Sequence, residues 1–510
     1  MMNPNCLLFD LLFKGQADAP ALAAPGRPPL SFAALRGLVC HTVSQLNALG
    51  LGPNDRVAIV LNNGPEMAAC FVACACGVAS APLNPGYRSD EFEFYLKDLQ
   101  ARALIVEAGS CSPAVAVAEK LGVTILRLVV EAGAAAGAFS LQSEGLGKPL
   151  AAPIWSAPED VAMVLHTSGT TSRPKIVPLS QANLLASARH IGQSLQFTAS
   201  DCGLNVMPLF HIHGLIAGVL APLAAGSQVF CTPGFNALKF FAWLEEAKPT
   251  WYTAVPTMHQ AIVARARSHA ELIARQPLRF MRSSSSSMPP QVITELEAVF
   301  GAPLIEAYGM TEAAHQMASN PLPPQLRKPG TVGLAAGPEI AIMATDGHLL
   351  AAGEVGEIVI RGPNVTQGYE NNPAANAEGY RAGWFRTGDQ GQLDLDGYLS
   401  ITGRLKEIIN RGGEKISPRE VDEVIMDHPA VQQVVCFGMP HAKLGEDVAA
   451  AVVLREGMSV DEAGLRAFVA ARLADFKVPR RILFLSEIPK GATGKLQRIG
   501  LAEKLGLGAA

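Results

Sequence analysis

The residues most able to do chemistry lie in Thr167-Ser-Gly-Thr-Thr-Ser-Arg-Pro-Lys175. Hydroxyl side chains crowd around one glycine, and a lysine closes the run. Small hydroxyl residues leave backbone N–H groups open to an anion, and glycine lets the chain approach it closely. This is the chemistry of a polyphosphate cradle. It is not a Walker A loop, which ends Gly-Lys-Ser/Thr and opens a helix; here Pro174 separates Arg173 from Lys175. Ser, Thr and Gly are also common in plain surface loops, so the partners further along the chain decide the matter.

Five further segments supply them. Tyr308-Gly-Met-Thr-Glu312 puts a hydroxyl beside a carboxylate, a pair able to hold a phosphate oxygen and its Mg²⁺. Trp384-Phe-Arg-Thr-Gly-Asp389 offers a carboxylate after a glycine turn, suited to a ribose diol. Gly403-Arg-Leu-Lys-Glu407 supplies a guanidinium, Asn410-Arg-Gly-Gly-Glu-Lys415 a basic glycine turn, and Lys490-Gly-Ala-Thr-Gly-Lys495 a lysine on a glycine loop. Taken singly, these read as a turn, a solvated helix face and a surface lysine. Together, in this order, such bland readings become improbable.

The elements that must position these residues follow from patterning. Arg56–Leu61 and Ala103–Val106 read as strands and Pro65–Ala79 as a helix, an alternation that predicts α/β layers with parallel strands. Residues 131–150, rich in Ala and Gly, read as a loop. Strand-like Val161–Leu165 and Ile176–Leu179 flank the cradle, and alternation resumes with Gly226–Cys231 and Trp251–Val255. Short runs such as Gly356–Arg361, punctuated by Gly, Pro and Asn, predict a small β-rich subdomain over 332–400. The last hundred residues read as a separate α+β unit. In it Ser417-Pro-Arg-Glu420 predicts a helix start, with Ser417 capping, Pro418 in the first helical position and Glu420 closing a capping box. Loss of such a cap costs roughly 1 kcal/mol.

A chain of 510 residues is long enough for roughly two to four domains. A net charge of −4 without a sustained basic block argues against nucleic acid as a main partner. The nine cysteines are scattered without paired CxxC units, as expected of buried small residues in a reducing compartment. The N-terminus lacks the features of a signal peptide, and Gly508-Ala-Ala is no peroxisomal address. Met67–Leu83, the longest weakly apolar run, reads as a buried helix and not a membrane span. A soluble cytoplasmic protein is the expectation.

The order of these motifs resembles the adenylate-forming superfamily, which includes acyl-CoA synthetases, firefly luciferase and the adenylation domains of peptide synthetases. The resemblance runs from Asn62-Asn-Gly-Pro-Glu66 to Lys495. Pro208-Leu-Phe-His-Ile-His-Gly214, Trp251–Thr257, Glu306–His315, Ser319–Pro323 and Arg361–Tyr369 are most similar to oxalyl-CoA synthetases, and 4-coumarate–CoA ligases are similar but more distant. Ser172 stands where most of the superfamily has Gly, but Ser172-Arg173 is what the oxalate group carries. Ile176 replaces a usual Gly, and Ser283–Ser287 is an unbroken serine run.

The resemblance implies a large N-terminal domain over 1–403 and a smaller, mobile C-terminal domain over 404–510, with a hinge near Lys406. It implies an ATP-dependent acid–CoA ligase using ATP, Mg²⁺ and CoA. A 4-coumarate or medium-chain acid–CoA ligase and an adenylation enzyme loading a carrier protein are the alternatives. By the same resemblance Thr167, Ser168, Gly169, Thr170, Thr171, Ser172 and Lys175 hold the β- and γ-phosphates, and Thr311 touches phosphate. Glu312 binds Mg²⁺, Tyr308 packs on adenine, Asp389 takes the ribose hydroxyls, and Arg404 supports ribose or phosphate. Lys495 bridges the acid and the α-phosphate, and Gly412 and Gly413 line the pantetheine channel. The acid pocket is expected among 211–215, 283–287 and 308–315. Ligases for fatty or aromatic acids line it with apolar or small residues, whereas here it holds His211, His213, Ser285 and His315. His211 matches a gate position shared across the superfamily; His315 and Ser285 are the best donors for the second carboxylate of a small dianion such as oxalate, which is costly to bury unpaired.

Overall fold

The computed structural model describes residues 7–143, 145, 147–167, 174–489 and 498–508. The chain forms two compact units: residues 1–340 with 360–385, and residues 341–359 with 386–510. Both are mixed α/β, the class the alternating patterns predict.

The first unit is built on two large sheets. One has seven strands in the order Ser140–Gln142, Thr124–Val129, Ala103–Glu107, Arg56–Val60, Ala79–Pro82, Val161–Thr167 and Lys175–Ser180. Its interior pairs are parallel and its two edge pairs antiparallel. Parallel interior strands are covered on both faces and therefore read as unbroken apolar runs; Val57–Val60 and Ala103–Val106 are buried throughout. The helix predicted over Pro65–Ala79 ends at Gly77, and Ala79 opens a strand. Gly77 allows that helix to lie against Phe32–Ala48, since a Cβ there would sit 2.4 Å from a Val43 methyl. The 131–150 stretch, expected to be loop throughout, contributes the edge strand Ser140–Gln142.

The other sheet has nine strands, in the order Leu334–Ala335, His315–Ser319, Leu304–Met310, Phe280–Ser283, Trp251–Ala254, Cys202–Asn205, Gln228–Cys231, Pro20–Ala24 and Arg27–Ser31. The strands from Leu304–Met310 to Pro20–Ala24 are parallel. A core of Leu204, Phe240, Tyr252, Met281, Leu296 and Leu304 packs on it. A five-stranded sheet that includes Gly356–Arg361, Trp384–Leu393 and Leu399–Arg404 contains strands in which the chain passes from one unit to the other.

The second unit holds a sheet of Val431–His441, Gly445–Leu454, Ile409–Arg411, Glu414–Ile416 and Arg481–Phe484, with apolar clusters around Val421, Ile425 and Val452 and around Phe437 and Leu501. The helix Pro418–Met426 starts where predicted, but the capping box does not form. The Ser417 hydroxyl donates instead to the carbonyl of Thr402, and the Glu420 carboxylate accepts from Lys477 at 2.6 Å. Two partners distant in sequence take the groups the cap would have used. Eight cysteines are described; Cys70, Cys74, Cys76, Cys202, Cys231 and Cys436 are buried as expected, while Cys111 is exposed. Among the described residues no helix is long and apolar enough to cross a membrane.

Candidate active site

The flanks of the hydroxyl-rich loop are antiparallel neighbours, with Thr167 directly opposite Lys175. The strand-like runs on either side thus pin both ends of the loop at one sheet edge. Ser168, Gly169, Thr170, Thr171 and Ser172 lie outside the described residues. Lys175 places its ammonium 4.3 Å from the centre of the Tyr369 ring. The Tyr369 hydroxyl donates to Glu312 Oε1 at 2.7 Å. Lysine, tyrosine and glutamate therefore form one continuous chain of contacts. Tyr369 escaped the sequence reading; an aromatic after Gly368 carries no local sign of such a role.

Glu312 sits on the tight turn Thr311–Ala313, after the strand Leu304–Met310 that carries the buried Tyr308. That strand folds back closely: a Cβ on Gly309 would lie 1.8 Å from the carbonyl oxygen of His315. Only glycine fits there. Ala314 and His315 follow with φ of +47° and +97°, conformations that each cost of order 1–3 kcal/mol unless the surroundings impose them. The surroundings do so. Thr366 N–H donates to the Glu312 carbonyl at 2.7 Å, and the Asn364 amide donates to the Ala313 and Gln316 carbonyls at 2.8 and 3.0 Å. Ser187 donates to the carbonyl of Ala314.

This backbone turns His315 toward a guanidinium that the sequence reading also missed. Arg282, on the strand Phe280–Ser283, is fully buried. Its Nη1 donates to His213 Nε2 at 3.2 Å; its Nη2 donates to His315 Nε2 at 3.1 Å and to Gln316 Oε1 at 3.3 Å. The two imidazoles stack, with centres 4.9 Å apart and planes 17° off parallel. Arginine has no acceptor, so each imidazole accepts at Nε2 and carries its proton on Nδ1. His213 Nδ1–H then donates to the Ser285 hydroxyl at 3.0 Å, and Thr253 donates to His213 Nε2 at 2.7 Å. His213 opens a stretch, His213–Leu220, wound as a wide i→i+5 helix, a form concentrated at functional sites.

The cluster is electrostatically incomplete. No carboxylate lies within ion-pair distance of Arg282 among the described residues, and Arg282 Nε and the buried hydroxyls of Ser283 and Ser284 have no hydrogen-bond partner there. Burial pushes the Arg282 guanidinium down to about 9, which still leaves it cationic at neutral pH. A buried cation with orphaned donors beside it is a site for an anion. Of the predicted pocket residues, His213, Ser285 and His315 join this cluster. His211 packs against Phe210, ring centres 4.5 Å apart. The signal that could have found Arg282 was a charged residue inside the apolar strand Phe280-Met-Arg-Ser283.

His259 supports the cluster from behind. It is buried and accepts from the Tyr252 hydroxyl at 3.1 Å, while its Nε2–H donates to the Arg282 carbonyl at 3.1 Å. Burial lowers it to about 4, so it stays neutral.

In the second unit, Asp389 and Arg404 are cross-strand neighbours, and Arg404 Nε donates to Asp389 Oδ1 at 3.0 Å. Asp389 is buried while Arg404 is exposed. Lys406 lies on the exposed turn after that strand. Gly412 and Gly413 form the two-residue tip of a hairpin, with φ of +61° and +101°; a tight hairpin of this kind requires positive φ at both positions. Lys495 lies outside the described residues.

Comparison with known proteins converges on one family. The AMP-binding enzyme family matches residues 11–370, and the AMP-binding enzyme C-terminal domain matches residues 420–495. A probable CoA ligase of Humulus lupulus is 45% identical over 98% of this chain and 97% of its own. An oxalate–CoA ligase of Arabidopsis thaliana is 44% identical over 96% of each chain. The crystal structure of ATP-bound MatB from Rhodopseudomonas palustris is similar with a TM-score of 0.89, at 30% identity over 99% of each chain. On this fold and these matches, the chain belongs to the AMP-binding enzymes of the adenylate-forming superfamily and is an AMP-forming acid–thiol ligase.

Proposed function

We propose that this ATP-dependent acid–CoA ligase takes oxalate as its acid. The observation that carries the reading is Arg282, a buried guanidinium bound by two neutral imidazoles and an amide, with no carboxylate partner among the described residues. An acid with a single carboxylate, turned toward ATP, leaves that cation uncompensated. A small dianion supplies the missing charge with its second carboxylate, and Ser285 and His315 stand beside Arg282 to add hydrogen bonds. A 4-coumarate or medium-chain acid ligase, or a carrier-loading enzyme for an apolar acid, gains nothing from a buried cation in its pocket. The Arabidopsis thaliana oxalate–CoA ligase, at 44% identity, supports the same assignment.

The chemistry runs in two halves. One carboxylate oxygen of the acid attacks the α-phosphorus of ATP; the bond to the bridging oxygen breaks and pyrophosphate leaves. The CoA thiol then adds to the acyl carbon, loses its proton, and AMP departs. A carboxylate is already nucleophilic at neutral pH, so the first half needs no base, only alignment of two anions and relief of their repulsion. In this reading residues 167–172 and Lys175 hold the terminal phosphates, and Lys495 holds the acid against the α-phosphate. Tyr308 packs on adenine, and Asp389 with Arg404 takes the ribose. Glu312 and Thr311 offer hard oxygen donors of the kind Mg²⁺ accepts alongside phosphate and water, and the cation when bound neutralises charge on the phosphates. Rotation at Lys406 withdraws Lys495 after the first half and brings Gly412 and Gly413 to the pantetheine arm. Cytoplasmic residence belongs to the same reading.

The test is ATP–pyrophosphate exchange with oxalate, malonate, coumarate and a medium-chain acid. Oxalate is expected to give the fastest exchange, and Arg282→Met and His315→Ala to lose at least about tenfold with oxalate, the scale of one charge-assisted hydrogen bond. Exchange that favours coumarate, or oxalate exchange indifferent to both substitutions, contradicts the assignment.

A further inference from the structure

Lys175 and Glu312 are opposite charges needed by two different parties, the phosphates and their metal ion. Left side by side they would pair and neutralise one another. Tyr369 stands between them. Its ring face carries the Lys175 ammonium at 4.3 Å, and its hydroxyl occupies Glu312 Oε1 at 2.7 Å. Lys175 makes no ion pair among the described residues. We propose that Tyr369 is a positioning residue that keeps Lys175 and Glu312 apart and holds each ready for its own ligand. The inference rests on the reading of Lys175 as a phosphate ligand and Glu312 as a metal ligand.

The energetics suit the task. A lysine over an aromatic face gains about 0.5–2 kcal/mol, enough to seat the ammonium and too little to compete with a polyphosphate. The hydroxyl bond to Oε1 fixes the carboxylate's rotamer. The tyrosine is itself rigidly held. It is buried, its N–H donates to Asn376 Oδ1 at 2.7 Å, and the Asn376 amide donates back to its carbonyl at 2.8 Å. The next residue, Glu370, donates its N–H to the Ile176 carbonyl at 3.1 Å and accepts from Arg56 through both carboxylate oxygens. The ring is thereby anchored to the strand Lys175–Ser180, which begins with the lysine it carries.

The experiment measures binding, not turnover. Mn²⁺ is titrated by electron paramagnetic resonance in the presence of α,β-methylene-ATP, and the same nucleotide is titrated calorimetrically without metal. Tyr369→Phe keeps the ring and loses the hydroxyl. It is expected to weaken Mn²⁺ about tenfold, the scale of a hydrogen bond to a charged group, and to leave metal-free nucleotide binding within about twofold. Tyr369→Leu loses the ring too, and both affinities are expected to fall. Adding Glu312→Gln to Tyr369→Leu is expected to restore metal-free nucleotide binding, because the lysine then has no carboxylate to pair with. A tyrosine that only supports the fold gives no such restoration. Mn²⁺ binding unchanged in Tyr369→Phe, or no recovery in the double variant, overturns the inference while wild-type binding still upholds the ligase reading. Wild-type protein that binds neither Mn²⁺ nor nucleotide sinks both.

Discussion

At the scale of single residues, charge decides what each group can do. Arg282 is cationic, buried and without a carboxylate partner among the described residues, so its preferred ligand carries negative charge. Lys175 rests on an aromatic face that holds it without neutralising it. Lys495 is assigned to the developing charge at the α-phosphate. Lys495→Ala is accordingly expected to slow adenylation by at least about 10²-fold, the scale seen on losing one charge-stabilising donor, while thioester formation from supplied acyl-AMP is spared. Separate single-turnover rates for the two halves check this; an equal fall in both contradicts the assignment. The sequence disclosed the residues whose chemistry is advertised by their neighbours, such as Lys175 beside a hydroxyl-rich loop and His315 after a Thr-Glu pair. It did not disclose Tyr369, whose partners Lys175 and Glu312 lie far away in the chain. Arg282 was visible as a misplaced charge in an apolar strand, but its purpose depends on His213 and His315, which only folding brings to it.

At the scale of elements, the strands and helices hold the site through buried polar contacts. The helix Pro256–Ala266 carries His259, which ties it to the strand Trp251–Ala254 through Tyr252 and to Phe280–Ser283 through the Arg282 carbonyl. His259 titrates near 4 in the folded protein, below the ordinary histidine value near 6.5. The unfolded chain therefore takes up the proton first as pH falls. The stability owed to neutral His259 is complete above about pH 6.5 and is lost as pH drops toward 4, a change of about 3 kcal/mol by linkage. Urea unfolding of wild type and His259→Asn at pH 7 and pH 4.5 checks the sign: the gap between them is expected to narrow at the lower pH. A gap that stays constant or widens contradicts it. Strand and helix alternation was legible because a two-sided apolar run or a helical face is written in consecutive residues. The Ser417–Glu420 capping box was misread because Thr402 and Lys477, which take those side chains, are distant in sequence.

At the scale of the whole molecule, the chain is two compact units, and the assigned groups are divided between them. Lys175, Glu312, Tyr308 and the Arg282 cluster belong to the first; Asp389, Arg404, Lys406 and the Gly412–Gly413 hairpin belong to the second. In the proposed reading only the groups from Lys406 onward are exchanged between the two half-reactions, because Asp389 and Arg404 precede that hinge. In the proposed mechanism a carboxylate oxygen of the acid attacks the α-phosphorus of ATP. This step is tested most directly by supplying oxalate labelled with ¹⁸O in its carboxylates, together with ATP and CoA, and finding the label by mass spectrometry. One labelled oxygen is expected in the phosphate of AMP and none in pyrophosphate. Label in pyrophosphate or orthophosphate, or AMP released without label, would contradict that mechanism.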